Sequence, residues 1–453
     1  MADTQLLVIG GGPGGYHAAI RAAQKGMDVT CVDKGSFGGV CLHWGCIPSK
    51  GLIGLGKLVD ELDGWSKRGV TVDNLDVDLP AFQAWKGKQI DQLSRGVQHL
   101  MKSRGVDVKE GTVELTGEHE ATIDGEPITF EKALIAVGSR PVELPHIPFD
   151  HEIVLSSKSA LALEEIPETM AVIGGGFIGL EIGQFYHQLG TEVTVVEMLD
   201  SILPTADADV SKEVTKHLKR AGIDIRTGTK AAGAKVGEQG AELELETQDG
   251  EREVLSVDKV LVAVGRRPNG TQLDLEAAGV DINGQGFIEV DDQMRTSNPD
   301  IFAIGDCVPG PALAHKASFE GLHAAAVAAG NGDVVVDHRA IPWFVYTTPE
   351  VGSVGLTEEE AREQHGDDLI VGQFPFMALG KAKMAGHTEG WCKVIARPDE
   401  AILGVHIVGP DATNLISEPA LAIEMGATLT DIAETVHAHP TLAEVFMEAV
   451  EVA

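Results

Sequence analysis

Three observations predict an α/β chain made of two doubly wound units and a C-terminal α+β domain. A buried strand running into a glycine loop and a helix occurs twice, near Leu6 and again near Met170. Each copy closes on a second strand that ends in a carboxylate, Asp33 and Glu197. From about Ile341 the texture changes to short strands followed by helical runs. At 453 residues the chain has room for two to four domains.

The first copy opens with Leu6-Leu7-Val8-Ile9, an unbroken apolar run that reads as a fully buried strand. Gly10-Gly11-Gly12-Pro13-Gly14-Gly15 follows, then a helical run from His17 to Ala23, then the strand Val29-Thr30-Cys31-Val32 and Asp33. In this Gly-x-Gly-x-x-Gly pattern Gly10 makes the turn, Gly12 admits a pyrophosphate close to the backbone, and Gly15 lets helix and strand pack closely. The helix start offers unpaired N–H groups to phosphate, and Asp33 can accept from ribose hydroxyls. With both strands and the acid in place, the motif reads as a Rossmann-like dinucleotide site.

Directly after comes Gly38-Gly39-Val40-Cys41-Leu42-His43-Trp44-Gly45-Cys46-Ile47-Pro48-Ser49-Lys50. Cys41 and Cys46 are the only two of the five cysteines close in sequence. On a regular helix such a spacing separates Cα atoms by ~8–9 Å, more than the ~7 Å a disulfide tolerates. Closing the pair needs a distorted or late-starting helix, which Gly38-Gly39 and Gly45 allow. A bridge that opens and re-forms is the expectation; a static disulfide and two unrelated thiols are the alternatives, the first disfavoured in an intracellular chain. Cys31 and Cys392 lie in predicted strands and read as small core residues; Cys307 receives no role.

Residues 52–105 read as mostly helical, with Trp65 and Trp85 as packing anchors. Strand-like runs follow near Val106–Val108 and Thr112–Leu115, and a buried strand, Ala133–Val137, ends in the turn Gly138-Ser139-Arg140-Pro141. The second copy then runs Met170–Ile173, Gly174-Gly175-Gly176-Phe177-Ile178-Gly179, a helix carrying Glu181, and strand Val193–Val196 with Glu197. No arginine follows in Met198-Leu199-Asp200. A bare carboxylate favours the free ribose hydroxyls of NAD and repels the extra phosphate of NADP. Gly265-Arg266-Arg267-Pro268 repeats the earlier turn. Next, the strand around Ile301–Ile304 delivers Asp306 to its carboxyl end, where ligands bind in open α/β sheets, unless Asp306 is only a turn or helix cap. An Ala-rich helix covers 312–330, and the last domain ends in His437-Ala438-His439-Pro440-Thr441-Leu442-Ala443-Glu444. The expected domains are 1–145, 146–268, a central segment 269–336 returning to the first, and 337–453.

Acidic residues outnumber basic ones 69 to 35, a formal net charge of −34, which opposes nucleic-acid binding. A solvated acidic surface, adaptation to high salt, and a patch for a basic partner are all consistent with it. The first residues lack a basic and apolar leader pattern, and no stretch reaches the ~18–20 apolar residues of a membrane span. A cytoplasmic location is expected. His437 and His439 have no third ligand, so no metal is expected.

Both glycine fingerprints, Gly39-x-Cys41-Leu42-x-x-Gly45-Cys46-Ile47-Pro48-Ser49-Lys50, Gly305-Asp306, and His439-Pro440-Thr441-Leu442-Ala443-Glu444 together resemble the dithiol-disulfide flavoprotein oxidoreductases over nearly the whole chain. The resemblance implies FAD on the first fingerprint, at Gly10, Gly12, Gly15, Asp33, Lys50, Gly138, Ser139, Asp306 and Ala314. It implies NAD on the second, at Gly174, Gly176, Gly179, Glu181, Glu197 and Gly265. It also implies a homodimer built through the α+β dimerisation domain, which lends His439 to the disulfide of the partner subunit. Cys41 would then exchange with the substrate and Cys46 lie against the flavin. Lys50 would sit near the flavin N5 with Glu181 as its ion partner, and His439 would be a base oriented by Glu444. The reaction implied is oxidation of protein-bound dihydrolipoyl groups with reduction of NAD, the partners being a lipoyl domain and the subunit-binding region of an acyltransferase.

Other readings stay open. Another NAD(P)H-dependent disulfide reductase of the family is one, although Val450–Ala453 lacks the extra cysteines of mercuric reductases and Glu197 argues against the NADP of glutathione-type enzymes. A redox-carrier flavoprotein without lipoyl turnover is another, although a carrier needs no positioned base. Thr441-x-x-Glu444 is equally a capping box, and Lys50 and Glu181 equally an ordinary surface pair. Asp33 stands where the family usually has Glu.

Overall fold

In the computed structural model, residues 2–66, 68–332 and 335–453 are described. They form two compact units, one of residues 1–51, 76–142 and 265–337, the other of 52–75, 143–264 and 338–453.

The first unit is organised by a seven-stranded sheet. Thr4–Ile9 lies between Val29–Asp33 and Glu126–Ile135, parallel to both, with Leu7 opposite Thr30 on one side and Ala133 on the other. Asp107–Glu110 extends the parallel side. Leu6, Leu7 and Val8 are wholly buried, as an unbroken apolar run must be when helices cover both faces of a parallel sheet. Glu126–Ile135 is longer than the sequence suggested. Its first half pairs antiparallel in a meander with Glu120–Ile123, and its second half pairs parallel with Ile301–Ala303. The segment after residue 268 therefore returns a strand to this sheet, and Gly305 and Asp306 follow directly at its carboxyl end. The helix Pro13–Gln24 packs against the helix Ala314–Ala328. A side chain at Gly321 would come within 2.5 Å of the Gly14 carbonyl, so the two backbones touch.

The second unit holds a five-stranded parallel sheet ordered Asp224–Arg226, Glu192–Val196, Thr169–Ile173, Lys259–Val262, Val154–Leu155. A three-stranded antiparallel meander, Thr229–Val236, Ala241–Thr247 and Arg252–Val257, contributes Leu243 and Leu245 to the same core as Ala171 and Val260. The C-terminal part is a five-stranded antiparallel sheet ordered Trp343–Val345, Glu350–Gly355, Ile402–Gly409, Trp391–Ala396, Ile370–Pro375. The helix Glu444–Glu451 covers it through Val445, Phe446, Ala449 and Val450. The expected α/β architecture with a C-terminal α+β domain is the one observed.

Within this unit Lys393, Asp207 and His406 are buried together, with Asp209 and Glu358 at the solvent side of the cluster. Lys393 Nζ lies 3.1 Å from Asp207, 2.9 Å from Asp209 and 2.6 Å from Glu358, and His406 stands 3.9 Å from Asp207. Asp207 begins the helix Ala208–Ala221, so the cluster ties the nucleotide-binding part to the C-terminal sheet.

One expectation fails outright. Trp65 and Trp85 are not packing anchors but remain 37% and 51% exposed. Trp85 rests on Phe82, and Trp65 receives the Arg68 guanidinium over its ring. Polar helices offered only their outward faces to these two large side chains. Cys31 and Cys392 are buried in strands as expected.

Candidate active site

Gly45 breaks the helix between the two thiols. Gly39–Trp44 forms one helix, Gly45 takes φ −136°, ψ −114°, and a new helix, Cys46–Ser66, starts at once. The break is the distortion the spacing demanded. It aims the first N–H of the new helix, that of Cys46, at the Cys41 sulfur, and the two thiols hydrogen-bond one another. Both are half-buried. The shared hydrogen bond and burial push the Cys41 thiol well above its ordinary range, while the Cys46 amide and Lys50 pull the other way. Lys50 lies one turn into the Cys46 helix, so both thiols and the lysine belong to one short stretch.

Around them stand Ser139 and Asp306, which the sequence singled out, and Tyr16 and Arg266, to which it gave no role. The Tyr16 phenol is pushed up by burial and by the nearby Cys41. The repeated Gly-x-Arg-Pro turns pair with each other, antiparallel, Ser139 opposite Pro268 and Arg266 opposite Pro141. Ser139 Oγ donates to Asp306 Oδ2 at 2.5 Å. Arg266 Nε donates to Ser139 Oγ at 2.7 Å, and Nη2 to the Ser139 carbonyl at 2.8 Å. The Arg266 side chain is only 14% exposed and lies 3.7 Å from Asp306. Burial lowers its pKa, against the opposing pull of Asp306 and of Cys46. Ser139, Asp306, Arg266 and Cys46 thus form one electrostatic group. Arg266 fills the variable position of its Gly-x-Arg-Pro turn, where the first turn has Ser139, and the shared arginines are Arg140 and Arg267, so the repeat itself did not mark it.

The two glycine loops are built alike. Gly10 and Gly174 both take φ +107°, and a side chain at either would strike the carbonyl of Ala136 or Ala263. Gly15 and Gly179 each sit against the carbonyl of their own loop's first glycine. Gly12 and Gly176 differ. Their φ of −70° and −77° suit any residue, and a methyl there would meet nothing nearer than 3.8 Å at Gly12 and nothing within 4 Å at Gly176. The protein's own packing does not require glycine at these two positions and leaves the space over each helix start open. Both helices begin without a side-chain cap, leaving N–H groups for phosphate. The carboxylates are anchored in parallel fashion. Asp33 accepts from the amides of Gly11 (2.7 Å) and Ser36 (2.8 Å), and Glu197 from those of Gly175 (2.7 Å) and Leu199 (2.8 Å). Gly138 at φ +64° and Gly265 at φ +126° shape the paired turns, and Ala314 opens an uncapped helix. The residues present therefore fit one dinucleotide on each loop.

Glu181 is 4% exposed, which excludes a surface pair, and its Oε1 accepts the Tyr346 N–H at 2.9 Å. In the C-terminal stretch, His439 Nδ1 lies 2.8 Å from Glu444 Oε1, and Glu444 Oε2 accepts the Thr441 N–H at 2.8 Å. Thr441 Oγ1 turns away to donate to the Ala438 carbonyl. Only half of the capping box is made; the other carboxylate oxygen goes to the imidazole. These two bonds, the Thr441 amide first, hold the Glu444 carboxyl below the usual range. An ionised Glu444 fixes the proton on Nδ1 and leaves Nε2 as acceptor on a ring that is 77% exposed. His437 is committed to Glu418 at 2.8 Å. No group of three metal-ligating side chains occurs among the described residues, and none of their helices is long and apolar enough to cross a membrane.

A fold with two dinucleotide loops and a dithiol beside the first defines a nucleotide-linked disulfide oxidoreductase. Residues 4–321 match the pyridine nucleotide-disulphide oxidoreductase family, and residues 341–450 match the dimerisation domain of the same family. The chain belongs to that family, whose cofactors are FAD and NAD. Among its relatives, the dihydrolipoyl dehydrogenase of Haloferax volcanii is 46% identical over 99% of this chain and 96% of that protein. That of Geobacillus stearothermophilus is 44% identical over 100% and 96%. The crystal structure of LpdA from Mycobacterium tuberculosis superposes with a TM-score of 0.91 at 28% identity, covering 99% of each chain.

Proposed function

We propose that this chain is a dihydrolipoyl dehydrogenase, oxidising protein-bound dihydrolipoyl groups and reducing NAD. The observation that carries the reading is the Cys41–Cys46 pair at the Gly45 break, joined electrostatically to Arg266 beside Asp306.

In the oxidised enzyme Cys41 and Cys46 share a disulfide. His439 Nε2 takes the proton from a substrate thiol, since only thiolate attacks. The thiolate attacks Cys41 Sγ; the Cys41–Cys46 bond breaks, and Cys46 leaves as thiolate at the start of a helix, where negative charge is favoured. The second substrate thiol then passes its proton to the departing Cys41 sulfur as it attacks its neighbour in the mixed disulfide. This closes the lipoyl ring and releases Cys41, so that the substrate has lost two electrons and two protons. Bound FAD supplies a two-electron acceptor for the dithiol and a hydride donor for NAD. Asp33 receives the ribose of the first nucleotide, Asp306, Ser139, Gly138, Lys50 and Ala314 line its remaining length, and Glu197 selects NAD over NADP on the second loop.

The chain works as a homodimer in the cytoplasm. His439, exposed in its own protomer, serves the disulfide of the partner subunit, and the lipoyl domain and binding region of an acyltransferase dock on the dimer. Lys50 and Glu181 form the pair at the flavin. The test is NAD reduction by dihydrolipoamide with the purified yellow protein; inactivity there, with activity on glutathione and NADPH, would overturn the reading.

A further inference from the structure

Behind the Gly305–Asp306 turn lies an ion pair without solvent on either side. Lys316 and Glu320, one turn apart on the Ala314–Ala328 helix, meet at 2.9 Å, and neither side chain has any exposed surface. The Lys316 ammonium has three protons to place. One faces Glu320 Oε1, and the others face the carbonyls of Gly305 at 3.2 Å and Pro309 at 3.1 Å. The second Glu320 oxygen accepts the Gly305 N–H at 2.7 Å. Opposite charges therefore grip both backbone groups of one residue. Gly305 has φ +75°, and a side chain there would come within 3.1 Å of Ala317, so the turn has no slack against the helix. The next residue is Asp306, whose carboxylate receives Ser139 Oγ.

Burying two charges costs several kcal/mol per ion, and apolar residues of similar volume commonly serve stability as well or better. Such residues could not direct a peptide plane. The same helix also packs by backbone contact on the helix that carries the first glycine loop. We propose that Lys316 and Glu320 are positioning residues for FAD: they fix both peptide planes of Gly305, and through them the direction in which Asp306 presents its carboxylate. This rests on the assignment of Asp306 to the FAD site.

The experiment compares holoenzymes carrying Lys316→Met, Glu320→Met, both together, and Asp306→Asn. Thermal melts at saturating FAD report the fold, and flavin fluorescence on serial dilution reports FAD dissociation. Each single variant strands a buried charge and should melt early. The double variant should regain most of the wild-type melting temperature yet release FAD at least about tenfold more readily, a difference of about 1.4 kcal/mol, and Asp306→Asn should do likewise. A double variant that recovers both stability and FAD affinity, while Asp306→Asn binds FAD weakly, overturns the proposal and leaves the site assignment standing. Wild-type affinity in both overturns the assignment as well. A double variant that cannot fold makes the pair a core element only, and also overturns the proposal.

Discussion

Replacing Gly176 by alanine tests the second nucleotide site without touching the fold. The backbone there, φ −77° and ψ 172°, is open to any residue, and an added methyl meets no protein atom within 4 Å. A Gly→Ala change in a compatible conformation stabilises by ~0.4–1 kcal/mol through the unfolded chain, so the melting temperature should hold or rise. The methyl instead occupies the space over the helix start that a pyrophosphate needs. Overpacking of this kind costs ~1–3 kcal/mol, which corresponds to NAD bound roughly 5- to 150-fold more weakly. The assay is the NAD KM at saturating dihydrolipoamide, with FAD content and melting temperature measured alongside. Gly179→Ala is the contrast: its methyl would strike the Gly174 carbonyl and lie 2.9 Å from Val172 Cγ1, so it should lower stability first. A Gly176→Ala enzyme with a wild-type NAD KM would refute the claim that the nucleotide crosses this helix start.

Glu444→Gln removes the charge facing His439 Nδ1; with a charge-assisted hydrogen bond worth ~1.5–3 kcal/mol, kcat should fall roughly 10- to 150-fold with FAD content unchanged. A fall of less than about twofold would make Glu444 only a helix-start residue. Cys46→Ser should bind FAD and show no turnover of dihydrolipoamide; a working serine variant would remove the dithiol from the reaction. Lys393→Met strands Asp207, 2% exposed, and should cost ~3–5 kcal/mol of stability. Burial raises the Asp207 carboxyl, but the Glu358 amide, His406 and Lys393 more than offset it, and the folded value lies below the ordinary 3.8. Its stabilisation is therefore complete above that value and disappears as pH falls through the folded one. Melting temperature against pH should show a steep acid limb in the wild type and a shallower one in Lys393→Met; identical limbs would exclude the cluster as their source.

Much of the site was legible because its requirements are local. A strand, three glycines and a carboxylate at the right spacing make a phosphate-binding helix start whatever surrounds them, and Gly45 between two cysteines announces a break. Residues that act through partners far along the chain were not legible. Lys316 and Glu320 looked like charges on an Ala-rich helix until Gly305, eleven residues upstream of Lys316, was folded against them. Arg266 gained meaning only when its turn paired with the one at Ser139, more than a hundred residues earlier.

The sequence alone determined the two loops and the dithiol, since these depend on backbone freedom within a few neighbouring residues. Tertiary structure decided which carboxylate oxygen of Glu444 faces the imidazole, which buried charges bond the Gly305 peptide groups, and that Trp65 and Trp85 face outward. Such outcomes depend on which groups lose contact with water together, and chain order does not specify that.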